Sequence, residues 1–220
     1  MLQVTDKYQK QDFWGTENLK YAQPHFRLEK VARMVNRIAR GKDCDLLDVG
    51  CGPAALMRLL QKNIHYYGID IAIHDSAPNL LQTDFVENPI KFENRRFDII
   101  VAQGVFEYVG KVQAQKFSEI SQLLNAKGTF IASYVNFDHR QRYVYAPYNN
   151  VQPFDVFKKS LSRFFRIDRV LPTSHHLHHH EPNRKIAKAI QMHVNVNIPL
   201  ISKLLAVEYF FICSPLGPRR

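Results

Sequence analysis

The chain has 220 residues, 45% of them hydrophobic, with 30 Lys and Arg against 20 Asp and Glu, a formal net charge of +10. That length makes one domain with a core large enough to fold without disulfides, and the three cysteines, odd in number and without a Cys-x-x-Cys pair, read as free thiols of a reducing compartment. The polar start over Met1–Gln11 carries no secretory signal, and Ile198–Cys213, broken by Lys203 and Glu208, is too short and too charged to span a bilayer. A soluble cytoplasmic protein is expected.

Residues 1–25 hold Tyr8, Phe13, Trp14, Tyr21, Pro24 and His25, too aromatic for a disordered tail. From Phe26 to Arg40, apolar Leu28, Val31, Ala32, Val35, Ile38 and Ala39 recur at helical spacing, and Gly41 ends the helix. Leu46-Leu47-Asp48-Val49 reads as a strand entering the glycine turn Gly50-Cys51-Gly52-Pro53, and a helix beginning follows over Ala54–Leu60. His65–Ile71 is a second strand carrying Asp70 at its end. Leu80–Phe85 is a third, closing on Asp84 beside Phe85. Arg96–Gly104 is a fourth, apolar at its centre as a strand covered on both faces should be. Val105–Val109 starts a helix, and Lys111–Leu124 is an amphipathic helix ending near a cap turn at 125–128. Thr129–Asn136 is the fifth strand. The tract 137–153 is a long Tyr-, Asn- and Pro-rich loop of a length usually functional. A helix over Phe154–Phe164, a sixth strand over Phe165–Leu171, an insert over 172–206 with a helix near 183–193, and a last strand over Val207–Ser214 complete the order. No internal repeat is visible.

A glycine turn at the carboxyl end of a parallel strand lets backbone N–H groups approach a ligand. Asp48 is out of place in a turn meant only for phosphate, and suits a ligand bearing an ammonium group. Asp70, twenty positions beyond Gly50, stands where an acid grips ribose hydroxyls. Asp84 can accept from an adenine amine while Phe85 packs on the ring. A plain N-cap explains one strand-end acid. Three on successive strands are harder to explain that way.

With Asp48-Val49-Gly50-Cys51-Gly52, Gly68-Ile69-Asp70, Thr83-Asp84-Phe85, Phe97-Asp98-Ile99-Ile100 and Lys127-Gly128-Thr129-Phe130-Ile131 in this order, the chain resembles the class I S-adenosylmethionine-dependent methyltransferases across roughly residues 44–136. The third glycine of many relatives is replaced by Ala54 or Ala55. The resemblance implies an α/β, Rossmann-like fold: a seven-stranded, mostly parallel sheet with helices on both faces and the last strand antiparallel. It implies a single domain, residues 1–220, with a helical lid segment over 1–43, a cofactor-binding core over 44–136, and an acceptor-side half over 137–220 containing the 172–206 insert. S-adenosylmethionine is the implied cofactor, held by Asp48, Gly50, Cys51, Gly52, Asp70, Ile71, Asp84, Phe85, Gln103 and Gly104. Trp14, Tyr21 or Arg27 can close over the methionine end.

The acceptor side rests on residues near the ends of the fourth and fifth strands. His139 and Glu107 are the candidate bases, and Tyr143, Tyr148, His175 and His176 the candidate substrate contacts. Ser174–Glu181 holds a histidine cluster, open between acceptor binding, a divalent metal and a surface loop; no metal ligands are assigned. Residues 1–110 balance at 14 cations and 14 anions, whereas 111–220 hold 16 against 6, so the basic excess lies wholly on the acceptor side. That favours a small-molecule or anionic, sugar-linked acceptor, with methylation at oxygen preferred to methylation at nitrogen. An RNA methyltransferase is the chief alternative, although the fourth strand ends Gln103-Gly104-Val105-Phe106 where base-amino methylating relatives carry Asn/Asp-Pro-Pro-aromatic. A nicotinamide oxidoreductase and a non-catalytic cofactor-binding scaffold stand further back. The oligomeric state is not legible.

Overall fold

The computed structural model describes residues 26–73, 77–92, 95–136, 152–175, 198, 200–202 and 206–217, with no side-chain detail at 174 and 175. Helix α1 spans Phe26–Ala39, strand β1 Cys44–Val49, β2 Ile64–Asp70, β3 Leu80–Gln82 and β4 Phe97–Ala102. A short α2 over Phe106–Val109 and a longer α3 over Gln113–Leu123 lead into β5, Leu124–Val135. Helix α4, Phe154–Leu161, precedes β6, Phe165–His175, and β7, Ala206–Pro215. One seven-stranded sheet runs in the order β3-β2-β1-β4-β5-β7-β6. Strands β1 to β5 pair in parallel, and β7 is antiparallel to both β5 and β6. The expected Rossmann-like architecture with its inverted last strand is therefore present.

Alternation along the strands decides which helices cover which face. Leu46, Ile64, Tyr66, Ile99, Val101, Ile131 and Phe210 turn toward α1, where Val31, Ala32, Val35 and Ala39 meet them. Leu47, Val49, Ile100, Ala102, Phe130 and Phe211 turn the other way, onto Phe106, Phe117, Ile120, Phe157 and Leu161 of α2, α3 and α4. That second layer is largely aromatic, with Tyr134 and Phe157 stacked at 3.7 Å between centroids and 10° between planes. Among the described residues no helix is long and apolar enough to cross a membrane.

Several boundaries differ from the sequence expectation, helix α4 for instance ending at Leu161 rather than Phe164. The stretch after the glycine turn is a five-residue 3-10 turn, Ala55–Leu59, entered through Ala54 at φ 52°. The Asn36 side chain of α1 stops it, donating to the Leu59 carbonyl at 3.2 Å and accepting from Gln61 N–H at 3.1 Å. Strand β3 has three residues because the chain turns at once on Asp84, whose Oδ1 accepts from Val86 N–H at 2.9 Å. Residues 125–128 are not a helix cap but belong to β5, where Asn125 donates to Asp98 Oδ1 at 2.6 Å. A Cβ on Gly128 would lie 2.8 Å from the Leu124 side chain, so glycine allows this close folding of the strand's start. Strand β6 continues to His175, taking 172–175 out of the expected insert.

Candidate functional site

Parallel strands carry their carboxyl ends to one edge of the sheet, and ligands of such sheets bind there. At this edge lie the turn after β1, the end of β2, the Gln103-Gly104 turn after β4, the end of β5, the end of β6 and, because it is antiparallel, the start of β7.

The turn after β1 is built backbone to backbone. Gly50 N–H and Cys51 N–H both donate to the Ile69 carbonyl, at 2.8 and 3.1 Å. Gly50 adopts φ +74°, and a Cβ there would lie 2.4 Å from Val105 Cγ2, so no other residue fits. Asp70 braces the turn from β2. Its Oδ2 accepts from Gly52 N–H at 2.8 Å and its Oδ1 from Ala72 N–H at 2.9 Å, across Ile71.

Asp48, one residue inside the end of β1, is 5% exposed, and its Oδ2 accepts from the Tyr66 hydroxyl at 2.8 Å. Burial pushes its carboxyl up to about 7. Within that rise the Tyr66 hydrogen bond opposes burial and the neighbouring Asp70 charge adds to it. A carboxyl so raised lacks a cation, and an ammonium group beside it would restore its charge. The Cys51 thiol packs between the turn and Gly68, and burial holds its proton on. Sequence reasoning missed Tyr66. Its signal is modest: a tyrosine two positions before Gly68, on the strand that pairs Gly68 with Asp48.

Asp84 and Phe85 follow β3. Asp84 Oδ1 caps the turn that follows it, and Phe85 packs partly buried against the core. Gly104 adopts φ +65° with nothing within 4 Å of where a Cβ would be, while its N–H donates to Ser133 Oγ at 2.8 Å. Gln103 has both amide atoms buried without a hydrogen-bond partner. The cofactor set of the sequence reading is thus gathered at one edge. A ligand with an ammonium group, a polar ring and room to lie against Gly104 fits it.

Glu107 sits in the short helix beyond β4 and is 6% exposed. Its Oε1 accepts from Val135 N–H at 3.1 Å, and its Oε2 is buried without a partner. Burial pushes it up to about 8, helped by Glu208 and opposed by hydrogen bonding and by Arg27. Arg27, one of the residues expected to close over the methionine end, pairs with Glu208, Nη1 to Oε2 at 2.9 Å. Lys30 of α1 donates to the carbonyls of Pro172 and Thr173, and burial lowers it to about 8. Glu208 and Lys30 were not foreseen. His139, Tyr143, Tyr148 and His176 lie outside the described residues, as do 176–180 of the histidine cluster and Trp14 and Tyr21. His175 is placed only as the last residue of β6, paired with Ala206.

A family model described as a methyltransferase domain matches residues 23–187. No curated protein matches the sequence. Among solved structures, the chain is similar to a TehB-like SAM-dependent methyltransferase of Corynebacterium glutamicum, with 15% identity, 91% of this chain and 94% of that one covered, and a TM-score of 0.56. It is similar to the N-methyltransferase NodS of Bradyrhizobium japonicum, solved with S-adenosyl-L-homocysteine, at 11% identity, 89% of each chain and a TM-score of 0.56. An S-adenosylmethionine-dependent methyltransferase of Clostridium acetobutylicum gives 11% identity, 91% and 96% coverage and a TM-score of 0.62. At these identities the likenesses speak for the fold alone.

Proposed function

The chain belongs to the methyltransferase-domain family, and from that premise we propose that it moves a methyl group from S-adenosylmethionine to an oxygen of a small-molecule acceptor, anionic or sugar-linked. The observation that carries the acceptor half is Glu107, a buried carboxyl with one oxygen unbonded and its proton held up to about pH 8. When bound, the cofactor supplies an electrophilic methyl on a sulfonium. The rest falls to the protein.

In this reading Asp48 meets the methionine ammonium, and Asp70 with the Gly50–Gly52 turn and Ile71 holds the ribose. Asp84 and Phe85 border the adenine, while Gln103 and Gly104 face the methyl end. Methyl transfer is an in-line displacement, so alignment and exclusion of water are the chief demands. Glu107 Oε2 would take the proton released from the acceptor hydroxyl as that oxygen gains the methyl the bound cofactor would supply, with S-adenosylhomocysteine as the leaving group. Glu107 must be ionised to take that proton, so turnover should rise with pH through about 8. His139 is kept as the second candidate base, and Tyr143, Tyr148, His175 and His176 as acceptor contacts. The division into a lid over 1–43, a core over 44–136 and an acceptor half over 137–220, and a cytoplasmic location, belong to the same reading.

RNA is disfavoured by where the described cations lie. Lys158, Lys159, Arg163 and Arg166 are exposed at the end of α4 and the start of β6. Because β6 runs parallel to β1, its start is at the edge opposite Glu107, a strand length or about 15–20 Å away. The test combines calorimetry of S-adenosylhomocysteine binding with transfer of labelled methyl to pooled hydroxyl metabolites and to bulk tRNA. Binding plus a labelled small molecule supports the proposal. Absence of binding overturns it, and label in the tRNA fraction alone replaces the acceptor.

A further inference from the structure

Glu208 of β7 stands directly across from Val135 of β5, and it is Val135 N–H that donates to Glu107 Oε1. Two carboxyls remote in sequence are thereby brought to one place. Each is buried, Glu208 being 3% exposed, and each leaves an oxygen without a partner, Oε2 of Glu107 and Oε1 of Glu208. An unfilled buried polar atom is costly, and native folds tolerate few of them. Gln103, just past the end of β4 and four positions before Glu107, adds an amide with both Oε1 and Nε2 unfilled. Open acceptors on the protein ask for donors on a ligand.

Charge decides which donors. Arg27 from α1 pairs with Glu208 at 2.9 Å, Lys30 from the same helix lies within range of the Glu208 charge, and burial keeps Glu107 neutral up to about pH 8. From β5 the Val135 N–H donates to Glu107, and the Tyr134 hydroxyl lies within range of its charge. Positive charge therefore matches or exceeds negative charge here, and an ammonium or guanidinium ligand would gain little. A hydroxyl suits better. It both donates and accepts, so it satisfies Glu107 in either protonation state and either end of the Gln103 amide.

We propose that Glu107 and Glu208, with Gln103, form a sugar-diol subsite in which adjacent ring hydroxyls of the acceptor each meet one carboxyl, the hydroxyl on Glu107 being the one methylated. This rests on the methyl-transfer reading above and names its substrate class. The test uses the full chain saturated with S-adenosylhomocysteine. Saturation-transfer NMR is recorded with methyl gluco-, manno- and galactopyranosides, their monodeoxy forms, and n-butylammonium. At least one pyranoside should bind. Removing either of two adjacent hydroxyls, or introducing Glu208→Met or Glu107→Met, which keep the length but remove the polar end, should weaken it about tenfold, with S-adenosylhomocysteine affinity within twofold of the parent. Three results overturn the subsite: no pyranoside signal although S-adenosylhomocysteine binds, butylammonium binding in their place, or unchanged pyranoside affinity in both variants. Failure of S-adenosylhomocysteine to bind overturns the methyl-transfer reading itself, and the subsite with it.

Discussion

The molecule holds two pairs of strand-edge acids, and they are finished to different degrees. Asp70 has both oxygens on backbone N–H groups and Asp48 has an oxygen on Tyr66. Glu107 and Glu208 each keep one oxygen open. In the first pair Asp70 is tied to the turn and Asp48 to Tyr66, so both acids are held in place before any ligand arrives. The second is left incomplete within the protein, as befits groups that handle a variable partner. Both pairs are buried, but only in the second does each acid keep a fully buried oxygen without a partner.

Glu107→Gln separates the two most sharply. It keeps an acceptor for Val135 N–H but removes the base, so turnover should fall by about hundredfold or more while cofactor affinity, read by calorimetry, holds. The same variant has a stability signature. Glu107 is raised to about 8 from 4.5; between these values the unfolded chain has lost a proton that the native state keeps. Its contribution is thus full below about pH 4.5 and declines, by at most about 1.4 kcal/mol per pH unit, until about pH 8. Denaturant titrations across that window should show a shallower fall in Glu107→Gln; an equal slope would mean that Glu107 is ionised in the fold.

Gly50→Ala tests the turn that Asp70 braces. A methyl 2.4 Å from Val105 Cγ2 at φ +74° should cost about 2–5 kcal/mol from the left-handed backbone and overpacking together. Denaturation would read the loss, and Val105→Ala in the same chain should return the overpacking share. Asp70→Asn turns an NH2 toward one of the two backbone donors. S-adenosylhomocysteine affinity should drop about ten- to a hundredfold, with the acceptor side unaffected. Smallest is Tyr66→Phe, worth about 1 kcal/mol or fivefold in cofactor affinity. It should also move the acid limb of the binding–pH curve upward, since Asp48 would lose the bond that steadies its charge. An unmoved limb would detach Asp48 from the ligand.

Legibility follows the same divide. The glycine turn, Asp48 and Asp70 lie within twenty-three positions, and a turn plus two strands dictates their meeting, so a local pattern was enough. Tyr66 needed the β1–β2 register, in which Leu46 pairs with Tyr66 and Asp48 with Gly68. In the sequence Glu208 stands out only as an interruption of an apolar stretch. Its neighbours Tyr209, Phe210 and Phe211 are buried core, and a lone acid in such a strand is a hint that a partner waits elsewhere. Which partner depends on Arg27, 181 positions away, and on β7 lying against β5; no short-range pattern encodes that. The early start of β5 was hidden likewise, because Asn125-Ala126-Lys127-Gly128 has the composition of a helix end and only the Asn125–Asp98 tie makes it strand.

The Cys51 sulfur, wedged where a side chain on Gly68 would have to go, gives the protein a built-in clock. Thiolate is the form that alkylating reagents attack, and here it is suppressed; modification must wait for the loop to breathe. Its labelling rate counts those openings directly, and any molecule that settles on the loop will slow the count without a dye, a tag or a turnover assay.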